Sequence, residues 1–86
     1  MIETPRRFFY NMVMKEFGEN LRKIREEQKI SQSQLAEQIG TTQQYVSRLE
    51  SGKHIPSLYF FLLILRALDV SFEELTDGIS LPDPLR

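Results

Sequence analysis

Apolar side chains recur along this chain at three- and four-residue intervals, the spacing of helices that each bury one face. Phe17, Leu21, Ile24 and Gln28 form an inward stripe that predicts a first helix from Glu16 to Gln28. Ser31 follows as a helix cap, with Gln34 three residues on to complete a capping box. Leu35, Ala36 and Ile39 share one face of a second helix, which Gly40 ends at a position that favours left-handed backbone. Thr41 and Thr42 can each cap a third helix whose inward residues are Val46 and Leu49. Ser57 is a natural cap for a fourth, Leu58 to Leu68, and Ser71 with Glu74 makes a capping box for a short fifth ending near Asp77 and Gly78. The pattern predicts an all-α chain of five helices.

The segment from Ser31 to Gly52 carries the most specific signal. Two helices that cross steeply in a tight turn leave no room for a long side chain, and Ala36 is small. With Val46 and Leu49 turned inward, Gln43, Gln44, Ser47 and Arg48 remain on the outer face of the third helix. An α-helix fits the DNA major groove, where a glutamine amide can pair with adenine and an arginine fork with guanine. Any one polar residue there is as easily a solvated surface residue. The whole set, tied to the glycine turn and the small alanine, favours base reading.

The run S-Q-S-Q-L-A-E-Q-I-G-T-T-Q-Q-Y-V-S-R-L-E-S-G resembles the helix-turn-helix of the phage-repressor/Cro-type family, also called the XRE family. The resemblance extends from about Phe17 to Leu75. F-G-E-N-L-R-K-I-R-E-E-Q-K-I-S-Q is similar to the family's first helix and the loop after it, R-L-E-S-G-K-H-I-P-S to the end of its recognition helix, and L-D-V-S-F-E-E-L to its final short helix. It implies a compact, five-helix, lambda-repressor-like DNA-binding domain over residues 15–78, between an N-terminal extension (1–14) and a C-terminal tail (79–86) that is extended or disordered. It also implies a transcriptional regulator, by default a repressor, that binds a palindromic operator in double-stranded DNA as a homodimer. Small members of the family include phage-type repressors, antitoxins and controller proteins of restriction-modification systems.

On that resemblance Gln43, Gln44 and Arg48 read bases, with Ser47 assisting. Gln32 at the start of the second helix, Arg22, Arg25, Thr42, Tyr45, Lys53 and the backbone amides around Ser51 and Gly52 contact the sugar-phosphate backbone. Arg25 and Glu50 match positions that pair in the family, which would tie the first helix to the third and present Arg25 near phosphate. Tyr45 either touches DNA or packs inward. His54 is expected to be a solvent-facing loop residue.

Composition narrows the remaining classes. The chain has 86 residues, one small domain, and so short a chain gains from a partner subunit. Eleven basic and twelve acidic residues give a net charge of −1, mildly unfavourable for DNA binding. The acid is concentrated away from the reading face, however: residues 57–86 hold Asp69, Glu73, Glu74, Asp77 and Asp83 against Arg66 and Arg86. A locally basic surface can work under such a total. With no cysteine and a single histidine, neither a disulfide framework nor a metal site is expected, and no cofactor. There is no glycine-rich phosphate loop, and the carboxylate pairs Glu26–Glu27 and Glu73–Glu74 sit at helix-surface spacing, so an enzyme is not expected. The longest apolar run, Leu58 to Leu65, is too short to span a bilayer. Asn11 and Lys15 interrupt the apolar stretch near the N-terminus, unlike a signal peptide. The expected location is the cytoplasm.

Two segments depart from the family's pattern. In the fourth helix, Leu58, Phe61, Leu62, Leu65 and Leu68 suffice for a core stripe. Tyr59, Phe60 and Leu63 then fall on the other side with Arg66 and Ala67, where the family usually carries polar residues. Such a patch rarely stays bare, and a homodimer interface is the expected use. The alternative is an antitoxin-like or adaptor protein whose main role is to bind a partner protein through this helix and the N-terminal segment. That segment places Phe8, Phe9, Tyr10, Met12 and Val13 after Arg6 and Arg7. It could pack over the fourth helix of its own or a partner subunit, reach toward DNA as a basic arm, or precede a true start at Met14. Its aromatic content favours packing over disorder.

Overall fold

The computed structural model describes residues 6–81 and contains five helices there: α1 (Arg6–Glu27), α2 (Gln32–Ile39), α3 (Gln43–Glu50), α4 (Leu58–Leu68) and α5 (Phe72–Leu75). The expected tail beyond Leu81, like the first five residues of the extension, lies outside the described residues. None of these helices is long and apolar enough to cross a membrane.

The helix starts follow from local hydrogen bonding. Ser31 and Gln34 form the reciprocal capping box of α2, and Ser71 with Glu74 repeats it for α5. Thr42 and Ser57 accept from the amides of Tyr45 and Phe60 to cap α3 and α4. Each such cap satisfies one amide that the helix leaves free and stabilises by about 1 kcal/mol. Gly40 takes left-handed backbone (φ 76°, ψ 37°) between α2 and α3, which an L-residue would adopt only at a cost.

The first helix corrects the expected boundaries. It begins at Arg6, ten residues before Glu16, and runs without a break to Glu27. No proline or glycine interrupts residues 6–17, and once a helix is nucleated each added residue brings its own hydrogen bond. The extension is therefore not a separate strap over α4 of its own chain. Gln28, expected on the inward stripe, lies past the end of α1 and donates from Nε2 to the Leu68 carbonyl at 2.7 Å.

The core consists of Phe17, Leu21, Leu35, Ala36, Ile39, Val46, Leu49, Ile64, Leu68 and Leu75. α2 packs on α3 and α4, while α1 lies across α3 and holds α5. Asn20 of α1 pins α5 by donating to the carbonyls of Leu75 (3.0 Å) and Asp77 (2.8 Å). The crossing of α1 over α3 depends on Gly18, unremarked in the sequence reading. A Cβ there would stand 2.4 Å from the Leu49 carbonyl oxygen and 2.7 Å from that of Glu50.

The fourth helix is rotated from its expected phase. Ile64 and Leu68 are buried, and Phe60, Phe61, Leu63, Leu65 and Ala67 pack partly against the core. Leu58 and Leu62, assigned to the core stripe, are 72% and 54% exposed, beside Tyr59 at 68%. At about 100° per residue, Leu58, Tyr59, Leu62 and Arg66 share one outer arc. The run L-Y-F-F-L-L-I-L contains no charged position to set the phase, so packing against α2 sets it.

Gly18→Ala is expected to destabilise the domain by about 1–3 kcal/mol. The backbone carbonyls it would strike cannot rotate away, and alanine's helix-propensity advantage of about 1 kcal/mol does not offset the clash. Urea denaturation followed by circular dichroism measures this, and an unchanged or raised midpoint would show that the α1–α3 crossing is looser than described.

Candidate nucleic-acid interface

α2 and α3 meet at the Gly40 turn in a helix-turn-helix, and a chain of hydrogen bonds fixes their outer face. It starts in the interior. Arg25 near the end of α1 grips Glu50, the last residue of α3, through Nε to Oε2 (2.6 Å) and NH2 to Oε1 (3.0 Å). Both residues are only 8% exposed. The Glu50 hydrogen bond raises the Arg25 pKa, opposed by burial and aided by the charges of Glu50 and Glu26. Because the folded pKa lies above the unfolded one, the stabilisation is fully present at neutral pH and is lost only in strong alkali.

Glu50 Oε1 also accepts from Gln32 Nε2 at 2.9 Å. Gln32 Oε1 in turn accepts from Gln43 Nε2 at 3.0 Å. A buried ion pair thus orients Gln32 on the first turn of α2, and Gln32 orients Gln43 on the first turn of α3. One amide hydrogen and the Oε1 of Gln43 are left, the donor and acceptor needed to pair with adenine. Gln44 and Arg48 are exposed on the same helix, with Ser47 half-buried between them.

The residues expected at the backbone of DNA divide into two groups. Lys53 and Arg22 are exposed, Arg22 in an i, i+4 pair with Glu26 at 3.1 Å. Thr42 is exposed while capping α3, and Gln32 is half-buried at the start of α2. Arg25 is the most enclosed of them. Besides its two bonds to Glu50, it donates from NH1 to the Ile30 carbonyl at 2.7 Å, and its NH2 lies 4.0 Å from Glu26. With Nε, NH1 and NH2 each donating one hydrogen bond and the side chain buried, Arg25 holds Glu50 and the turn at Ile30 in place. The backbone amides after α3 are also committed: those of Ser51, Gly52 and Lys53 donate to the carbonyls of Ser47, Leu49 and Arg48. They close the helix and are not available to an anion.

Tyr45 packs inward of the reading face. Its ring lies 5.1 Å from Phe60 and 5.5 Å, edge to face, from His54, which is itself exposed. Burial raises the Tyr45 pKa from 10.0, with a Ser57 backbone hydrogen bond acting the other way. The contact makes Phe60 a support for α3. Of the expected interface residues Tyr59, Phe60 and Leu63, only Tyr59 is exposed; the face that α4 offers is Leu58, Tyr59 and Leu62. No group of three or more metal-binding side chains occurs among the described residues.

Known proteins resemble this chain over the same region. The helix-turn-helix family profile matches residues 21–75. The HTH-type transcriptional activator BcrR of Enterococcus faecalis is 35% identical over 63 residues, which cover 73% of this chain and 31% of that protein. The HTH-type transcriptional repressor RghR of Bacillus subtilis (strain 168) is 38% identical over 63 residues, covering 72% and 47%. The chain thus spans only about a third to a half of the length of these relatives, which are regulators of transcription. The crystal structure of the restriction-modification controller protein C.AhdI from Aeromonas hydrophila superposes with a TM-score of 0.69 at 35% identity, covering 72% of this chain and 94% of that one.

Removing one member of the buried pair is more harmful than removing both. Glu50→Leu leaves Arg25 buried without its partner and is expected to cost about 3–5 kcal/mol, whereas Arg25→Met with Glu50→Leu recovers most of that loss. Chemical denaturation of the two variants checks the order, and equal losses in both would mean that Arg25 finds another partner.

Proposed function

The chain belongs to the helix-turn-helix (XRE-type) family, and from that premise we propose that it is a sequence-specific transcriptional regulator that binds double-stranded DNA as a homodimer, with α3 in the major groove of each half-site. The observation that carries this is the ordered reading face. Gln43 is held by the Arg25–Glu50–Gln32 chain, and Gln44 and Arg48 stand exposed beside it. Side chains meant only for solvent do not need such anchoring.

In this reading Gln43 and Gln44 read adenine, Arg48 reads guanine and Ser47 assists. Lys53, Arg22, Thr42 and the first turn of α2 at Gln32 hold phosphates, the last aided by the helix dipole. Tyr45 supports the recognition helix from behind, with its edge toward the sugar-phosphate backbone. These contacts position the protein, whereas the base contacts select the sequence.

A second copy docks through the apolar surface around Leu58, Tyr59 and Leu62, and the two-fold symmetry of the pair calls for a palindromic operator. The domain boundaries remain those of a reader over residues 15–78, with 1–14 and 79–86 as additions. Repression is the sign we propose, since occupying a promoter suffices for it, although one of the two similar regulators above is an activator. Action on DNA places the protein in the cytoplasm. The exposed apolar face of α4 also favours a second reading, an antitoxin-like or adaptor protein that uses this surface to hold a different protein.

Selection from a random duplex library with the purified full chain tests the proposal. Enrichment of a palindrome is expected, and none from a folded protein would overturn sequence-specific binding and leave the adaptor reading. On the selected operator, Arg48→Ala is expected to cost about 1–3 kcal/mol and relax one position of the site. Lys53→Ala is expected to weaken all sequences alike and lower the salt slope by about 1. Anisotropy titrations at several salt concentrations separate the two roles, and a uniform loss for Arg48→Ala would make it a phosphate contact instead.

A further inference from the structure

The first helix begins at Arg6, well before the segment shared with the family, which starts at residue 21. The added turns read R-R-F-F-Y-N-M-V-M-K over residues 6–15. Among these mostly apolar side chains, Arg7, Asn11 and Lys15 recur at four-residue spacing, so they share one face of α1. All three are exposed. Arg22, also exposed, follows Lys15 by nearly two full turns and continues the same face.

Two close contacts fix where this face lies. Gly18 lets α1 cross the end of α3 against the carbonyls of Leu49 and Glu50. One turn earlier, α1 rests on the loop that follows α3. A Cβ on Gly52 would stand 3.0 Å from the Lys15 Cα and 3.4 Å from its backbone nitrogen. Lys15 is thereby held beside the turn that carries the exposed Lys53. At the other end of the crossing, Arg25 connects through Glu50 to Gln32 at the start of α2. α1 thus runs across the end of the recognition helix from Gln32 to Lys53, the two places that hold phosphates in the reading above, and then continues past Lys53. Arg7 lies about 12 Å beyond Lys15 along the axis, at 1.5 Å per residue. Phosphates on one strand follow each other about every 3.4 Å of duplex, so the added turns span several of them.

Charge sets this face apart from the rest of α1. Residues 6–15 contain no acidic residue, and Arg7 and Lys15 form no ion pair with a carboxylate among the described residues. Farther along the helix, toward α5, Lys23 lines a cleft with Glu27, Glu73, Glu74 and Asp77. A cation among carboxylates offers little to a polyanion. Uncompensated cations at helical spacing displace counterions when they meet one, and that release drives binding.

We propose that the face of α1 bearing Arg7, Asn11 and Lys15 is a further contact line for the phosphate backbone of double-stranded DNA, continuous with Lys53 and Arg22. The inference rests on the DNA-binding reading above and lengthens its footprint on the duplex. Arg7 and Lys15 supply the charge, and the Asn11 amide donates a neutral hydrogen bond between them. Phosphates are the same in every sequence, so this line adds affinity and not selectivity.

The test uses the full chain and two duplexes of equal length, the sequence enriched from the random library and a scrambled version of it. Arg7→Ala with Lys15→Ala removes both charges at exposed positions, and circular dichroism checks that the helices persist. Anisotropy titrations at several salt concentrations should show the slope of log Kd against log salt reduced by about 2 for each bound subunit, one for each lost phosphate contact. The reduction should be alike on both duplexes. Lys23→Ala, a loss of charge on the acidic side of α1, should leave the slope unaltered. Ethylation of the enriched duplex should reveal phosphates whose modification weakens the unaltered chain and not the double variant. An unaltered chain that binds neither duplex would overturn DNA binding itself, and the contact line with it. A chain that binds, with the same slope in the double variant, would overturn the contact line alone. So would a comparable fall per charge for Lys23→Ala, since overall charge and not this face would then be responsible. A loss confined to the enriched duplex would make these residues base contacts and overturn the proposal as well.

Discussion

A carboxylate enclosed at the end of a helix must be paired, and Glu50 is paired twice over by Arg25 and once more by Gln32. Much of the domain's geometry depends on this group. Through it the C-terminal end of α3 is tied to α1, and the start of α2 is tied to both. Arg25 also receives the Ile30 amide on its carbonyl and donates to the Ile30 carbonyl, closing the turn that leads into α2. That turn holds Lys29 in left-handed backbone (φ 61°), a conformation that costs a non-glycine residue roughly 1–2 kcal/mol. The ion pair and the turn therefore support each other. A buried pair of this kind adds little net stability over a well-packed apolar substitute. What it adds is direction, since a carboxylate oxygen can orient an amide and a leucine cannot.

Gly18 works with the same junction. Because it has no side chain, α1 lies directly against the carbonyls of Leu49 and Glu50. That approach brings the backbone of α1 near enough for Arg25 to reach Glu50 from two turns further along. The close crossing and the ion pair are one arrangement, which makes the end of α3 the most constrained part of the domain and leaves its outer face free to be a surface.

The opposite side of the molecule follows a different logic. Apart from Arg66, α4 is apolar all around, so burying one face leaves another uncovered. α1 carries Phe8 and Tyr10 beyond the packed domain, where both are exposed among the described residues. A small domain has little interior to give such side chains, and association is the ordinary remedy. In the proposed dimer the apolar half makes the pair, and the polar half, set by the Glu50 junction, reads DNA. The separation of functions matches the separation of charge along the chain, with acidic residues gathered on α5 away from α3.

Features that depend on neighbours in sequence could be read from the sequence itself. The caps Ser31, Thr42, Ser57 and Ser71, the glycine turn at Gly40 and the exposed positions of α3 all rest on hydrogen bonds or faces spanning three or four residues. The order of these signals identified the family, and the Arg25–Glu50 pairing came with that resemblance. Features that depend on what a helix packs against could not be read. The phase of α4 was undetermined because every position offered to bury was apolar, and packing against α2 chose Ile64 over Leu58 and Leu62. The role of Gly18 is invisible until α3 crosses it. That Arg25 also donates to the Ile30 carbonyl shows only in the folded chain. Local chemistry decides where helices begin and end, whereas burial is a relation between distant segments, so only the tertiary structure could decide which faces are core and which remain free.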